Sequence, residues 1–189
     1  MMMPAALNAD EIQGLYDALD DEYRAFATYD RVIQDFGPVR PFINIRDAEA
    51  RHTQALLPLF ARYGLQVPAN PWMGKTPHYS SLEEACKAGV EAEIDNASLY
   101  DRILASTERP DIIQVYLALQ EASQERHLPA FQRHANGNGR LTDDECHGGQ
   151  HGRFGQDAAR GQQRCANRGQ GMGSGQGFGG RGQGKGRCR

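Results

Sequence analysis

The chain has 189 residues, 39% of them hydrophobic, which suits one domain with a substantial hydrophobic core. Its net charge of −3 is divided unevenly: residues 1–135 carry 12 Lys/Arg and 20 Asp/Glu, whereas residues 136–189 carry the remaining 9 and 4. No stretch reaches the roughly 18 apolar residues of a membrane helix. We therefore expect no membrane partner. The four cysteines contain no CxxC pair, so we also exclude a disulfide framework.

The amino-terminal sequence MMMPAALNADE lacks the basic segment and apolar run of a signal peptide, so we expect a cytoplasmic protein. The first predicted helix begins with a capping box formed by Asn8 and Glu11, and it ends near Phe36 before GPVRP. Its apolar stripe recurs every three or four residues, at Leu15, Leu19, Glu22, Phe26, Tyr29 and Ile33. A carboxylate, Glu22, therefore occupies a core position.

The second predicted helix starts at Pro41 and ends near Tyr63. Its stripe passes through Glu49 and His52, which can converge on one point because residues i and i+3 share a face of a helix. The connection that follows, GLQVPANPWMGKTPHYSS, is much longer than the links that join antiparallel neighbours. It predicts a crossover along a helical bundle.

The third predicted helix opens with Ser81 and Glu84 as a capping box and carries Glu93 on its stripe. The fourth begins around Pro110 and has the stripe Ile113, Leu117, Gln120, Gln124, His127 and Phe131. Long helices without a strand signal predict an all-α, four-helix bundle with a long crossover between helices two and three. The polar residues repeat between the two halves, since EARH in the second helix aligns with QERH in the fourth.

Buried carboxylates cost several kcal/mol each unless a positive charge neutralises them, and no Lys or Arg lies on these stripes. Two divalent metal ions resolve this conflict, because glutamates bridge cations and imidazoles add nitrogen ligands that suit iron or manganese. Five of six positions match the dimetal bundle pattern of two single glutamates and two Glu-x-x-His motifs. The predicted ligands are Glu22, Glu49, His52, Glu93, His127 and, through its amide oxygen, Gln124.

Four stretches carry a family resemblance: LDDEYRAFATYDRVIQDFG, PFINIRDAEARHTQALLPLFARYG, EACKAGVEAEIDNASLYDRIL and ASQERHLPAFQR. Over roughly residues 8–135 the chain resembles ferritin-like proteins of the rubrerythrin-related kind, and most of all the family called domain of unknown function 2202. The resemblance implies a ferritin-like bundle with a carboxylate-bridged dimetal site, usually two irons, and oxidase, peroxidase or ferroxidase chemistry. It implies no substrate.

Gln124 departs from the pattern, because a neutral amide cannot bridge two cations as a carboxylate does. Three outcomes stay open: a weakly held second metal, a single metal, or an inward turn of Glu121 or Glu125 caused by Pro129. A metal-free alternative is a hydrogen-bonded Glu49–His52 pair in an ordinary core. Tyr29 and Tyr100 each lie seven residues after a stripe glutamate. They are either ordinary core residues or groups that relay electrons or hydrogen-bond a ligand.

Of the 22 glycines, 17 lie at or after Gly137. Residues 136–189 therefore predict a disordered, low-complexity Gly/Gln/Arg-rich tail, whose Cys and His residues match no compact metal site. Three function classes remain: a di-iron oxidoreductase that uses O2 or peroxide and an external electron donor, a non-catalytic metal-binding or storage-accessory protein, and a structural bundle whose tail contacts nucleic acid. Whether the chain is an enzyme, and whether it pairs as a homodimer, stays open.

Overall fold

The computed structural model describes residues 6–136, which form helices and no strand. The predicted all-α class is confirmed for this part of the chain, while the predicted tail lies outside it. The helices are α1 (Ala9–Phe36), α2 (Phe42–Tyr63), α3 (Leu82–Leu104), α4 (Pro110–Ala122) and α5 (Leu128–Ala135). A π-helical turn, Ser123–His127, joins α4 directly to α5, so residues 6–136 form four helical rods. None of the helices described is long and apolar enough to cross a membrane.

Local side-chain contacts explain where the helices begin. The capping box of α1 is complete: Asn8 Oδ1 accepts from the Glu11 backbone N–H at 2.8 Å, and the Glu11 carboxylate accepts from the Asn8 N–H at 2.9 Å. At α3, Ser81 Oγ accepts from the Glu84 N–H at 3.2 Å, but the Glu84 carboxylate accepts from the Ser80 N–H instead of Ser81. Only half of the second predicted capping box therefore forms.

The helix pairs are antiparallel within each half of the chain. Tyr16, early in α1, packs edge-on against Phe60 near the end of α2, and Tyr29 packs against Phe42 at its start. In the second half, Tyr100 near the end of α3 lies against Tyr116 in α4. Since α1 also runs antiparallel to α3, helices α2 and α3 run parallel to each other. The connection between them must then return along the whole bundle.

The connection over residues 64–81 makes this return beside α1. Tyr16 Oη donates to the Gln66 carbonyl at 3.0 Å, and Thr76 Oγ1 donates to the Ala27 carbonyl at 3.4 Å, so the segment follows α1 over several turns. The predicted crossover is thus observed, and its polar, proline-rich composition suits a segment with few backbone partners of its own.

Two apolar clusters fill the bundle, one on each side of a polar centre. Each buried large side chain contributes about 1.5–3 kcal/mol relative to exposure. The first cluster includes Leu15, Leu19, Leu56, Phe60, Tyr100, Ile112 and Tyr116. The second includes Tyr29, Val32, Phe42, Ile45, Cys86 and Phe131. The polar centre between them is held by packing from both ends.

The stripe predicted for the fourth helix is one residue off over most of its length. The buried residues of α4 are Ile112, Tyr116, Leu119 and Ala122, and Leu117 is 50% exposed. The π-helical turn accommodates one extra residue, which restores the predicted register at His127. A strict spacing of three and four could not follow this shift.

Close packing at Gly89 allows a test of the bundle. A Cβ built there lies 2.8–2.9 Å from three ring atoms of Phe131, which other aromatic rings hold in place. We expect Gly89→Ala to lower the free energy of unfolding by about 1–3 kcal/mol, measured by urea denaturation. The matched control is Gly14→Ala, whose nearest contacts are 3.4 Å away, and it should stay within about 1 kcal/mol of the parent. Equal stability of the two variants would contradict this packing.

Candidate metal centre

Five of the six predicted ligands come together in the middle of the bundle. They are Glu22 from α1, Glu49 and His52 from α2, Glu93 from α3 and His127 at the end of the π-helical turn. The glutamates are almost fully buried, with 2–3% of their surface exposed. Each helical rod thus supplies at least one polar side chain to the same point, which predicts strong electrostatic coupling among them.

These side chains form two groups that share one carboxylate. Glu22, Glu49 and His52 make the first group, and Glu49, Glu93 and His127 make the second. Within each group the ligand-type atoms all lie within 4.8 Å of one another, so each group could hold a metal ion. Glu49 belongs to both groups.

The two oxygens of Glu49 face different histidines. Glu49 Oε2 lies 2.8 Å from His52 Nδ1, which is also 3.1 Å from Glu22 Oε2. Glu49 Oε1 lies 3.1 Å from His127 Nδ1, which is 3.7 Å from Glu93 Oε2. The two imidazole rings stack with centroids 5.4 Å apart. The carboxylate therefore spans both halves of the cluster.

The His127 ring provides a test of whether these residues suit a metal. Its Nδ1 is buried and has no well-aligned hydrogen-bond partner among residues 6–136, despite the approach of Glu49 Oε1. Buried polar atoms are usually satisfied, so an exception beside two carboxylates calls for an additional partner. A divalent cation with mixed nitrogen and oxygen ligands fits this donor set.

In the absence of a cation, protons balance the buried charges. Burial and the nearby Glu49 carboxylate raise the pKa of Glu22 to about 8. Burial opposes ionisation of Glu49, but its pairing with His127 and His52 lowers its pKa to about 2. Burial likewise disfavours charged imidazoles, yet the neighbouring carboxylates raise the pKa of His52 to about 10 and that of His127 to about 9. A metal would displace protons from this cluster.

Two tyrosines hold the glutamates that are not shared. Tyr29 Oη in α1 donates to Glu93 Oε1 in α3 at 2.9 Å, and Tyr100 Oη in α3 donates to Glu22 Oε1 in α1 at 2.7 Å. Burial and the adjacent carboxylates raise both tyrosine pKa values well above their usual range, so both hydroxyls remain donors. These reciprocal contacts realise the hydrogen-bonding role considered from the sequence and orient the carboxylates.

The structure does not bring Gln124 to the cluster, because the π-helical turn points its side chain outward, where it is exposed. Ser123 is buried instead, and its hydroxyl donates to Glu93 Oε2. Glu121 and Glu125 are also exposed, so neither is turned inward. Sequence reasoning missed Ser123, although one signal existed: the more apolar stripe one residue earlier on α4 leads to it.

A cavity of about 290 Å³ leads to this cluster. Its lining includes the buried residues Glu49, Glu93, Ser123 and His127 together with residues of the crossover. The carboxylate and imidazole groups are therefore buried but adjacent to a space that a small molecule can occupy.

Comparison with known proteins identifies a family and a fold. The family described as an uncharacterized protein domain (DUF2202) matches residues 11–145. The crystal structure of a hypothetical protein from Methanococcus jannaschii DSM 2661 is similar, with a TM-score of 0.64 and 21% sequence identity over 72% of this chain and 86% of that one. At this identity the likeness shows the fold alone. No curated protein matches.

The raised histidine pKa values predict how the metal-free protein responds to pH. The pKa of His52 rises from an ordinary value of 6.5 to about 10 and that of His127 to about 9, so their stabilising contribution is complete below pH 6.5 and is lost as pH rises through 9–10. Glu22, whose pKa rises to about 8, acts in the same direction. Urea unfolding of chelator-treated protein between pH 6.5 and 10 should show falling stability.

The slope of this decline should be smaller in His127→Gln, which lacks one titrating imidazole. A metal-free protein whose stability is constant or rises between pH 6.5 and 10 would contradict the proton-balanced cluster. The range follows from the raised pKa values of the two histidines.

Proposed function

The chain belongs to the family described as an uncharacterized protein domain (DUF2202), and from this premise we propose that it is a ferritin-like protein with a carboxylate-bridged dimetal centre. The metals are two irons, or manganese in the same positions. Their function is redox chemistry with O2 or a peroxide, with electrons from an external donor. The proposal is supported by two Glu/His groups whose ligand-type atoms lie close enough together that each group could hold a metal ion.

The observation that carries the proposal is the double membership of Glu49. Two separate metal sites would need separate carboxylates, whereas here the oxygens of one buried carboxylate face the imidazoles of both groups. His127 Nδ1 lies 3.1 Å from Glu49 Oε1 but makes no well-aligned hydrogen bond within residues 6–136, which supports the same conclusion. A hydrogen-bonded Glu–His pair in an ordinary core would not need a second histidine beside the same carboxylate.

When bound, iron or manganese would supply reversible one-electron oxidation and an electrophilic centre for an oxygen-containing reactant. The protein's own contribution is to hold the ligands and to limit water. Tyr29 and Tyr100 orient Glu93 and Glu22 by hydrogen bonds, so these carboxylates need little reorganisation when a cation enters. The two apolar clusters close both ends of the centre, which leaves the cavity as the approach for a reactant.

A second candidate is a non-catalytic metal-binding or storage-accessory protein. Ser123 favours it, since a hydroxyl lies where the dimetal pattern would have a fourth carboxylate, and a neutral hydroxyl holds a second cation less tightly. Under this alternative the same residues bind metal, but turnover of O2 or peroxide is absent. The two candidates share a ligand set and differ in reactivity.

Metal stoichiometry tests the shared ligand. We expect about two irons or manganeses per full-length chain by elemental analysis, because there are two groups. Glu49→Gln should lose both, whereas Glu22→Gln should lose only one, since Glu22 belongs to a single group. Gln124→Ala is the control and should retain the parent value because its side chain is exposed. Equal losses in Glu49→Gln and Glu22→Gln would contradict the bridge.

Reactivity distinguishes the two candidates. Protein reconstituted with ferrous iron under anaerobic conditions should consume O2 or hydrogen peroxide faster than the same concentration of free iron, measured with an oxygen electrode or a peroxide assay. Glu49→Gln, treated identically, is the background control. Full iron loading with consumption no faster than free iron would remove the redox proposal and favour the second candidate.

A further inference from the structure

The cavity beside the metal centre is built from three elements that differ in chemistry. At its inner end lie Glu93, Ser123 and His127. Arg24 and Lys75 contribute positive charge to the wall, while Asp21, Glu91 and Asp95 contribute negative charge. Part of this charge is paired, since Arg24 lies 2.5 Å from Asp21. Apolar surface comes from Trp72, Tyr79, Ala92 and Leu119.

The centre lacks one negative charge relative to the dimetal pattern. That pattern has four glutamates, which balance two divalent ions when the histidines are neutral. Here three glutamates face the centre, and the fourth position is taken by the neutral hydroxyl of Ser123. The ligand set of a loaded centre would therefore keep one positive charge, which a bound anion would neutralise.

The position that lacks a fourth glutamate lies on the side of the centre that faces the cavity. Ser123 and Glu93 both line the cavity, so the place where a protein carboxylate is absent faces the space that a small molecule can enter.

We propose that the cavity binds a small organic carboxylate whose carboxylate group lies beside Ser123 at the metal centre. The inference rests on the proposed dimetal centre and deepens it, because it assigns a chemical class of substrate or effector. The Ser123 hydroxyl is a donor that can turn from Glu93 to the incoming anion. The aromatic wall of Trp72 and Tyr79 contacts the apolar body of the ligand.

The cavity volume bounds the size of the ligand. A protein cavity of about 150 Å³ holds a benzene molecule, and this one is about 290 Å³. A carboxylate on a single ring or a short chain therefore fits within it. Trp72 forms part of the lining and is held in place, since its Nε1 donates to Asp20 Oδ1 at 2.9 Å.

Benzoate and its neutral isostere benzamide provide the test on the full chain loaded with cobalt(II), whose visible spectrum reports its ligands. Metal content is measured first, in the parent and in Ser123→Asp, which supplies the missing carboxylate. Gln124→Asp is the matched control, because it adds the same charge one residue further on the exposed side. Benzoate should change the parent spectrum saturably and benzamide should not. Ser123→Asp should weaken benzoate binding at least about tenfold, and Gln124→Asp should not.

Each possible result either supports or overturns the inference. Two cobalt ions per chain, with a benzoate effect lost only in Ser123→Asp, support the inference. Two cobalt ions without a benzoate effect, or with equal effects in both variants and the parent, overturn it and leave the dimetal proposal intact. A chain that binds no cobalt, iron or manganese overturns the dimetal proposal and the inference together. Equal binding of benzamide would show that the cavity recognises the ring rather than the carboxylate, and would also overturn it.

Discussion

Three glutamates buried in the centre of an apolar bundle are the constraint on which the rest of the structure depends. Each is at most 3% exposed, and an ionised carboxylate in such surroundings is costly unless charges and donors compensate it. These partners come from the same helix and from neighbouring helices: His52 lies on the helix of Glu49, His127 approaches Glu49 from the fourth rod, and a tyrosine hydroxyl donates to each of the other two carboxylates. The apolar clusters on both sides hold the partners in place, so the same packing determines both the stability of the fold and the geometry of the site.

In the fourth rod, the π-helical turn brings His127 to the centre. A regular α-helix that buries Ile112, Tyr116 and Leu119 would present a different residue from His127 to the centre, and the extra residue corrects the register. The turn gives up some regular hydrogen bonding, and such insertions often occur at functional sites. Its second effect is that Ser123, and not Gln124, faces the centre. The second half of the bundle therefore presents a hydroxyl where the first half presents the carboxylate of Glu49.

Topology also determines how the centre can be reached. Because α2 and α3 run parallel, the chain must return along the bundle between them, and it does so beside α1. The same return segment brings Trp72, Lys75 and Tyr79 to the wall of the cavity that leads to Glu93. A connection required by helix direction therefore shapes the access to the buried carboxylates. Changes in this segment should alter access without altering the ligands themselves.

The amino-acid sequence by itself determined the helical class, most helix ends and the crossover, because apolar periodicity, caps and prolines act locally. It also indicated that Glu22, Glu49, His52, Glu93 and His127 share core stripes, and the structure brings these residues together. The sharing of Glu49 by both groups, the reciprocal tyrosine contacts and the exchange of Gln124 for Ser123 were decided only by tertiary structure. These features depend on distances between helices and on one extra residue in a helical turn, and spacing within a single helix contains no information about either.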